Sequence, residues 1–137
     1  MDWSMVVIRY FLCLHCRRKD ITMKKRPLAY ITAPWGDNEF ENAERAAKYC
    51  RDAYEAGFSP FCPILLYPMF LREDVAQEHN DMKDMARDIL KRSTVLVVCG
   101  GTADEDVMDD IATAKRFRVA TTTLDGILLA KGRGRND

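Results

Sequence analysis

The residues with the most chemistry in the shortest span lie in Thr94 to Ala114, TVLVVCGGTADEDVMDDIATA. Thr94 to Cys99 is a continuous, β-branched apolar run, as expected of a strand covered on both faces. Gly100-Gly101 lets the backbone turn sharply and leaves room for a ligand. Asp104, Glu105, Asp106, Asp109 and Asp110 then cluster just past the strand's expected carboxyl end, the edge at which open parallel α/β sheets bind ligands. Neighbouring carboxylates push each other's pKa apart, so that one stays ionised while another holds a proton. Glycosidic chemistry uses such a pair, because a carboxylate both stabilises and captures an oxocarbenium-like centre. Asp104 and Asp110 bracket the turn, and Asp84 and Asp88 ride the helix leading into the strand. Spacing alone leaves a second reading open, in which the acids form a solvated helix start that the helix dipole favours.

Other chemistries find little support. The chain has no GxxxxGK[ST] loop, no GxGxxG after its first strand and no GxSxG elbow. His15 and His79 are its two histidines, and neither has a partner at metal-ligand spacing, so histidine-centred metal catalysis is not expected. His79 reads as a surface loop residue, with a place in the pocket lining as the lesser alternative. Cys13 and Cys16 have CxxC spacing without a second pair to complete a site. The five cysteines are an odd number, which suits a reducing cytoplasm in which Cys packs as a small apolar residue. With 21 basic and 21 acidic side chains, no net field draws nucleic acid or an anionic membrane surface, and neither is expected as a partner. The basic clusters, Arg17 to Lys19, Lys24 to Arg26 and Lys131 to Arg135, all lie near the ends.

The elements that must position the acidic cluster follow from periodicity and turn chemistry. Residues 1–26 read as a poorly ordered or loosely docked extension, its apolar part interrupted by Arg9 and too short to span a membrane. One α/β domain is expected over 27–131 and a disordered tail over 132–137. LAYIT, Leu28 to Thr32, predicts a first strand ending by Ala33, before Pro34. Asp37 or Asn38 is placed to cap a helix over Asn42 to Ala56, which Gly57 ends. A short second strand follows from Phe58, broken at Pro63 into a loop carrying Tyr67 to Phe70. Leu71 to Asn80 reads as an irregular acidic loop or a short helical turn over the sheet edge. A helix begins at Asp81 with Met82, Met85, Ala86, Ile89 and Leu90 as its apolar stripe. After the strand at Thr94 come a helix from about Asp104 to Phe117, a fourth strand at Val119 to Thr123, and a short helix or edge strand over Leu124 to Ala130. Alternation of this kind predicts a three-layer, flavodoxin/Rossmann-like parallel sheet of four to five strands with helices on both faces.

YITAPWGD at Tyr30 to Asp37, Asn42 with the ERA that follows at Glu44 to Ala46, SPFCPILLYPMF, and VLVVCGG…VMDDIATAKRFRV resemble, in order and spacing, the nucleoside 2-deoxyribosyltransferase-like superfamily. The closest likeness is to its small bacterial and phage branch of domains of unknown function. The resemblance covers roughly Pro27 to Thr122. It implies a flavodoxin-like sheet, frequent homo-oligomers, and cleavage or transfer of the N-glycosidic bond of a nucleoside or nucleotide without a cofactor. The family's nucleophilic glutamate falls on Asp110, one methylene shorter. Its loop aspartate falls on Asp104, and the aspartate of the preceding helix on Asp88 or Asp84, with Asp104 or Asp88 as proton donor to the base. Tyr30 matches an aromatic residue that places the base or the nucleophile. Pro34, Trp35, Asn42, Gly100, Gly101 and Met108 are implied as substrate-binding neighbours. The alternative carried beside this enzyme is a binding protein that holds a nucleotide or nucleotide-derived signal in the same pocket without turning it over.

Overall fold

The computed structural model describes residues 25–134, so all but the last two residues of the extension expected over residues 1–26, and the last three of the tail expected over 132–137, lie outside the described residues. The chain alternates strand and helix throughout: β1 (Leu28–Thr32), α1 (Glu39–Glu55), β2 (Ser59–Phe61), α2 (Pro63–Leu66), α3 (Ala76–Arg92), β3 (Val95–Val98), α4 (Glu105–Arg116), β4 (Ala120–Thr123) and α5 (Leu124–Gly134). The strands form one parallel sheet in the order β2-β1-β3-β4. Strand order therefore reverses between β1 and β3, the switch point at which loops diverge and a crevice opens at the carboxyl edge. Among the described residues, no helix is long and apolar enough to cross a membrane.

Alternation along the strands builds two separate cores. Ala29, Ile31 and Ala33 face one side and pack with Val95, Val97, Cys99, Ala46 and Ala53 of α1, and Ile127 of α5. Tyr30 faces the other side and packs with Leu96, Leu90 of α3, Ala114 of α4 and Val119. This is a three-layer α/β/α arrangement with helices on both faces.

Helix ends follow local chemistry. Asn38 takes the N-cap of α1, its side chain accepting from the backbone N–H of Phe40 at 3.1 Å and of Glu41 at 3.2 Å. At the other end Gly57 adopts φ 99°, with Gly57 N–H donating to the Tyr54 carbonyl and Phe58 N–H to the Ala53 carbonyl, a Schellman stop. That stop aims the chain into β2.

Three boundaries differ from expectation. Pro63 does not open a loop: it is the first residue of α2, where its missing N–H costs nothing, and a single 3₁₀ turn at Tyr67–Met69 follows. The helix expected from Asp81 begins at Ala76. Its first turns carry no apolar stripe to betray them, and Glu78 accepts from Arg72 N–H at 3.4 Å in place of a side-chain cap. Finally, of the short helix or edge strand expected over Leu124 to Ala130 it is the helix that forms, and it runs on to Gly134, into the first residues of the tail expected over 132–137.

Candidate functional site

The crossover from β2 to α3 and the start of α4 leave a cleft of about 760 Å³ over the carboxyl ends of β1 and β2. Its floor is Tyr30 and Asp110, its aromatic wall Trp35 and Tyr67, and its far wall Met82, Lys83, Ala86 and Arg87 of α3. Arg72, Glu73, Asp74 and His79, together with Asp106, Asp109 and Thr113 of α4, also line it.

The two sides of β1 divide labour here. Because side chains alternate along a strand, Tyr30 and Thr32 point together toward α3 and α4 while Ala29 and Ile31 enter the opposite core. Thr32 is buried, and its hydroxyl donates to Asp110 Oδ2 at 2.7 Å. The bond fixes the carboxylate against the strand. Tyr30 stacks on Phe61 with ring centroids 5.7 Å apart, Phe61 on Tyr67 at 6.1 Å, and Tyr67 on Phe70 at 6.1 Å. These tilted and edge-on pairs make a continuous aromatic flank.

Burial raises the Asp110 carboxyl to about 6, with the charges of Asp106 and Asp109 adding to the rise and the Thr32 hydroxyl and Arg87 opposing it. Asp110 is therefore mostly ionised at neutral pH yet within reach of protonation, the range useful to a nucleophile or a general base. Burial, then the negative charge of Asp110, pushes the Tyr30 phenol far above its ordinary value. Tyr30 thus stays protonated and serves as a donor.

Of the residues that the sequence nominates, Asp110, Tyr30 and Trp35 come together in this cleft. The others have different work. Asp104 is the N-cap of α4, accepting from Val107 N–H at 2.9 Å, so the reading of part of the acidic cluster as a helix start holds for this member. Asp88 lies on the exposed side of α3, 3.1 Å from Arg92 one turn on, and Asp84 is exposed outside the cleft. Neither Asp104 nor Asp88 lines the cleft as a proton donor would. Met108 points outward, 54% exposed, because positions 107 and 110 of α4 take the inward face.

Asn42 is buried, but its amide clamps a loop: Nδ2 donates to the Gly36 carbonyl at 2.7 Å and Oδ1 accepts from Gly36 N–H at 3.0 Å and from Arg45 at 3.1 Å. Arg45 also donates to the Pro34 carbonyl at 3.2 Å and lies over the Trp35 ring at 5.5 Å. Together they hold Trp35 at the cleft mouth. Pro34 packs on Gly100, where an added Cβ would stand 3.0 Å from Pro34 Cδ and where φ is 90°. Gly100 therefore serves close approach of two loops, and with Gly101 it lines a separate, smaller cleft beside Thr123 to Asp125.

Sequence reasoning missed Thr32, Arg72, Lys83 and Arg87, and held Asp106 and Asp109 only as members of the acidic cluster. His79, read as a surface loop residue or as pocket lining, is on α3 and lines the cleft. Spacing did not mark the α3 pair: Lys83 and Arg87 flank the stripe of Met82 and Ala86 four residues apart, as any solvated pair on a helix does. Among the described residues, no group of three or more His, Cys, Asp or Glu is arranged to hold a metal ion.

None of the curated proteins compared matches this chain. A family described as a domain of unknown function, DUF7768, matches residues 27–124, a span that takes in the whole sheet and every residue of the cleft. The chain is thus a member of the DUF7768 domain family.

Proposed function

We propose that the cleft takes a nucleoside or nucleotide and that Asp110 attacks or stabilises the anomeric carbon while the N-glycosidic bond breaks, giving hydrolysis or transfer of the sugar. The observation that carries this is a partly buried carboxyl, raised to about 6 and fixed at 2.7 Å by Thr32, on the floor of a cleft with an aromatic wall. A flat base fits against Trp35 and Tyr67. The sugar then falls over Asp110, and the Tyr30 hydroxyl is available to donate to the sugar or the carboxylate. In such a reaction the carboxylate oxygen bonds to the anomeric carbon, the glycosidic electron pair leaves with the base nitrogen, and the base takes a proton. Water or a second base then displaces the carboxylate. The likeness to nucleoside 2-deoxyribosyltransferases in TAPWGD and in VMDDIATA supports the same assignment.

The test is release of free base from a panel of nucleosides, deoxynucleosides and their monophosphates at high protein concentration. We expect release that rises with pH through about 6 and that Asp110→Asn reduces at least about a hundredfold. No base from any substrate would end the catalytic reading. Asp110, shorter than glutamate and held back on β1 by Thr32, favours the second reading, a nucleotide-binding protein without turnover. That reading predicts ligand-induced stabilisation with the ligand recovered intact.

A further inference from the structure

We propose that Lys83 and Arg87 form an anion subsite that selects the 5′-monophosphate of a nucleotide over the free nucleoside. The inference rests on the nucleoside or nucleotide reading of the cleft and names the substrate class within it. Lys83 and Arg87 stand four residues apart on α3, a spacing that puts their side chains next to each other on one helix face, and both line the cleft. Both are solvent-exposed, as are Asp84 and Asp88, but those two acids do not line the cleft, and Asp88 pairs with Arg92.

The basic side chains at this cleft differ in what already occupies them. Arg72 is bound to Asp74 at 3.0 Å, and His79 lies 3.9 Å from Glu73. Lys83 and Arg87 make no hydrogen bond or ion pair among the described residues. Arg87 is near enough to Asp110 for its charge to favour the ionised carboxylate, so a group held by Arg87 lies within one ligand's length of the reacting centre. A guanidinium fork and an ammonium on adjacent turns suit the several oxygens of one phosphate monoester.

The acidic side chains of the same cleft sharpen the choice. Glu39, Asp106 and Asp109 also line it, and they repel an anion placed at random. An anion is tolerated only at the α3 wall, with the neutral base and sugar spanning the remainder. A nucleoside monophosphate has this polarity, a neutral aromatic end and one dianionic end. Polyphosphates carry too much charge for a two-cation subsite bordered by carboxylates.

Equilibrium binding tests this without requiring turnover. The four deoxynucleoside 5′-monophosphates, the four deoxynucleosides and inorganic phosphate are titrated against the full chain and against the double variant Lys83→Met/Arg87→Met, with Asp110→Asn as background if base is released. At least one monophosphate is expected to bind about tenfold or more tightly than its nucleoside, and the double variant to collapse that gap. Because the readout is a ratio, a general loss of folding does not imitate it. Equal affinity of nucleotide and nucleoside, or a gap that survives the double substitution, overturns the subsite while leaving the nucleoside reading intact. If nucleosides bind only when inorganic phosphate is present, the subsite takes the free anion and the nucleotide assignment falls. If neither nucleosides nor nucleotides bind at millimolar concentration, the subsite and the reading beneath it fall together.

Discussion

The two faces of the sheet are built from alternate residues of the same strands and have opposite characters. The face toward α1 and α5 is closed. Ala29, Ala33, Ala46 and Ala53 are small enough to bring α1 onto the sheet, Ile31 and Val97 fill what remains, and Cys99 sits there with burial pushing its thiol up to about 12. The face toward α3 and α4 closes over Leu96 and Leu90 but opens at its carboxyl end, where Tyr30 and Asp110 line the cleft and the buried Thr32 hydroxyl holds Asp110. One face spends its burial on stability; the other withholds some at one end and leaves a carboxyl partly desolvated. A shift of one residue in the register of β1 would exchange the two roles.

The largest effect that separates the faces is a core truncation set against a site substitution. Ile31→Ala empties a fully buried position and is expected to cost about 2–4 kcal/mol in chemical denaturation. Asp110→Asn should instead stabilise the protein near neutral pH. The Asp110 carboxyl sits at about 6 in the folded chain against an ordinary 3.8, so the folded state binds its proton more tightly than the unfolded state. That contribution is complete below pH 4 and is lost as pH rises through 6. The wild-type protein should therefore lose about 1–2 kcal/mol relative to Asp110→Asn between those limits, allowing for partial solvent screening. Denaturation curves of both proteins at pH 4 and pH 7 measure it, and a flat difference would mean that Asp110 is not desolvated.

Thr32→Val sharpens the same contrast, because it changes one hydroxyl on the open face and almost no volume. Loss of the 2.7 Å bond to Asp110 should cost roughly 1 kcal/mol. The bond favours the ionised carboxylate, so its removal should raise the Asp110 pKa and move the acid limb of base release above pH 6. A limb that stays in place would show that Thr32 merely packs.

The fold was legible because its signals are local and redundant. VLVV is β-branched and flanked by a polar helix end and two glycines, and Gly57 and Asn38 stop and cap α1 by backbone chemistry that sequence displays directly. Asp110, Tyr30 and Trp35 were legible as site residues through motif resemblance and position at a strand end. Thr32 was not, because a threonine at the end of a strand looks like any β-former until the helix that carries Asp110 is laid over it. Lys83 and Arg87 were hidden by a helix whose apolar stripe is narrow: an inward cation on the flank of such a stripe has the same spacing as a solvated one. Asn42 and Gly100 were nominated as ligand neighbours and are found making loop contacts, since a buried amide and a positive-φ glycine mark a built loop as readily as a bound ligand.

The smallest expected effects test whether the acids outside the cleft differ in kind from the one inside. Asp104 and Asp88 were chosen by the same reasoning as Asp110, and the three now occupy a helix cap, an exposed ion pair and the cleft floor. Asp104→Ala removes the acceptor for Val107 N–H at 2.9 Å and should cost about 1 kcal/mol. Asp88→Ala breaks a pair whose side chains are 58% and 76% exposed and should cost less than about 0.5 kcal/mol. Neither should change base release by more than about twofold once stability is matched, because neither carboxyl reaches the cleft. A large catalytic loss in Asp88→Ala at full stability would return that residue to the reaction and break the separation of site from surface on α3.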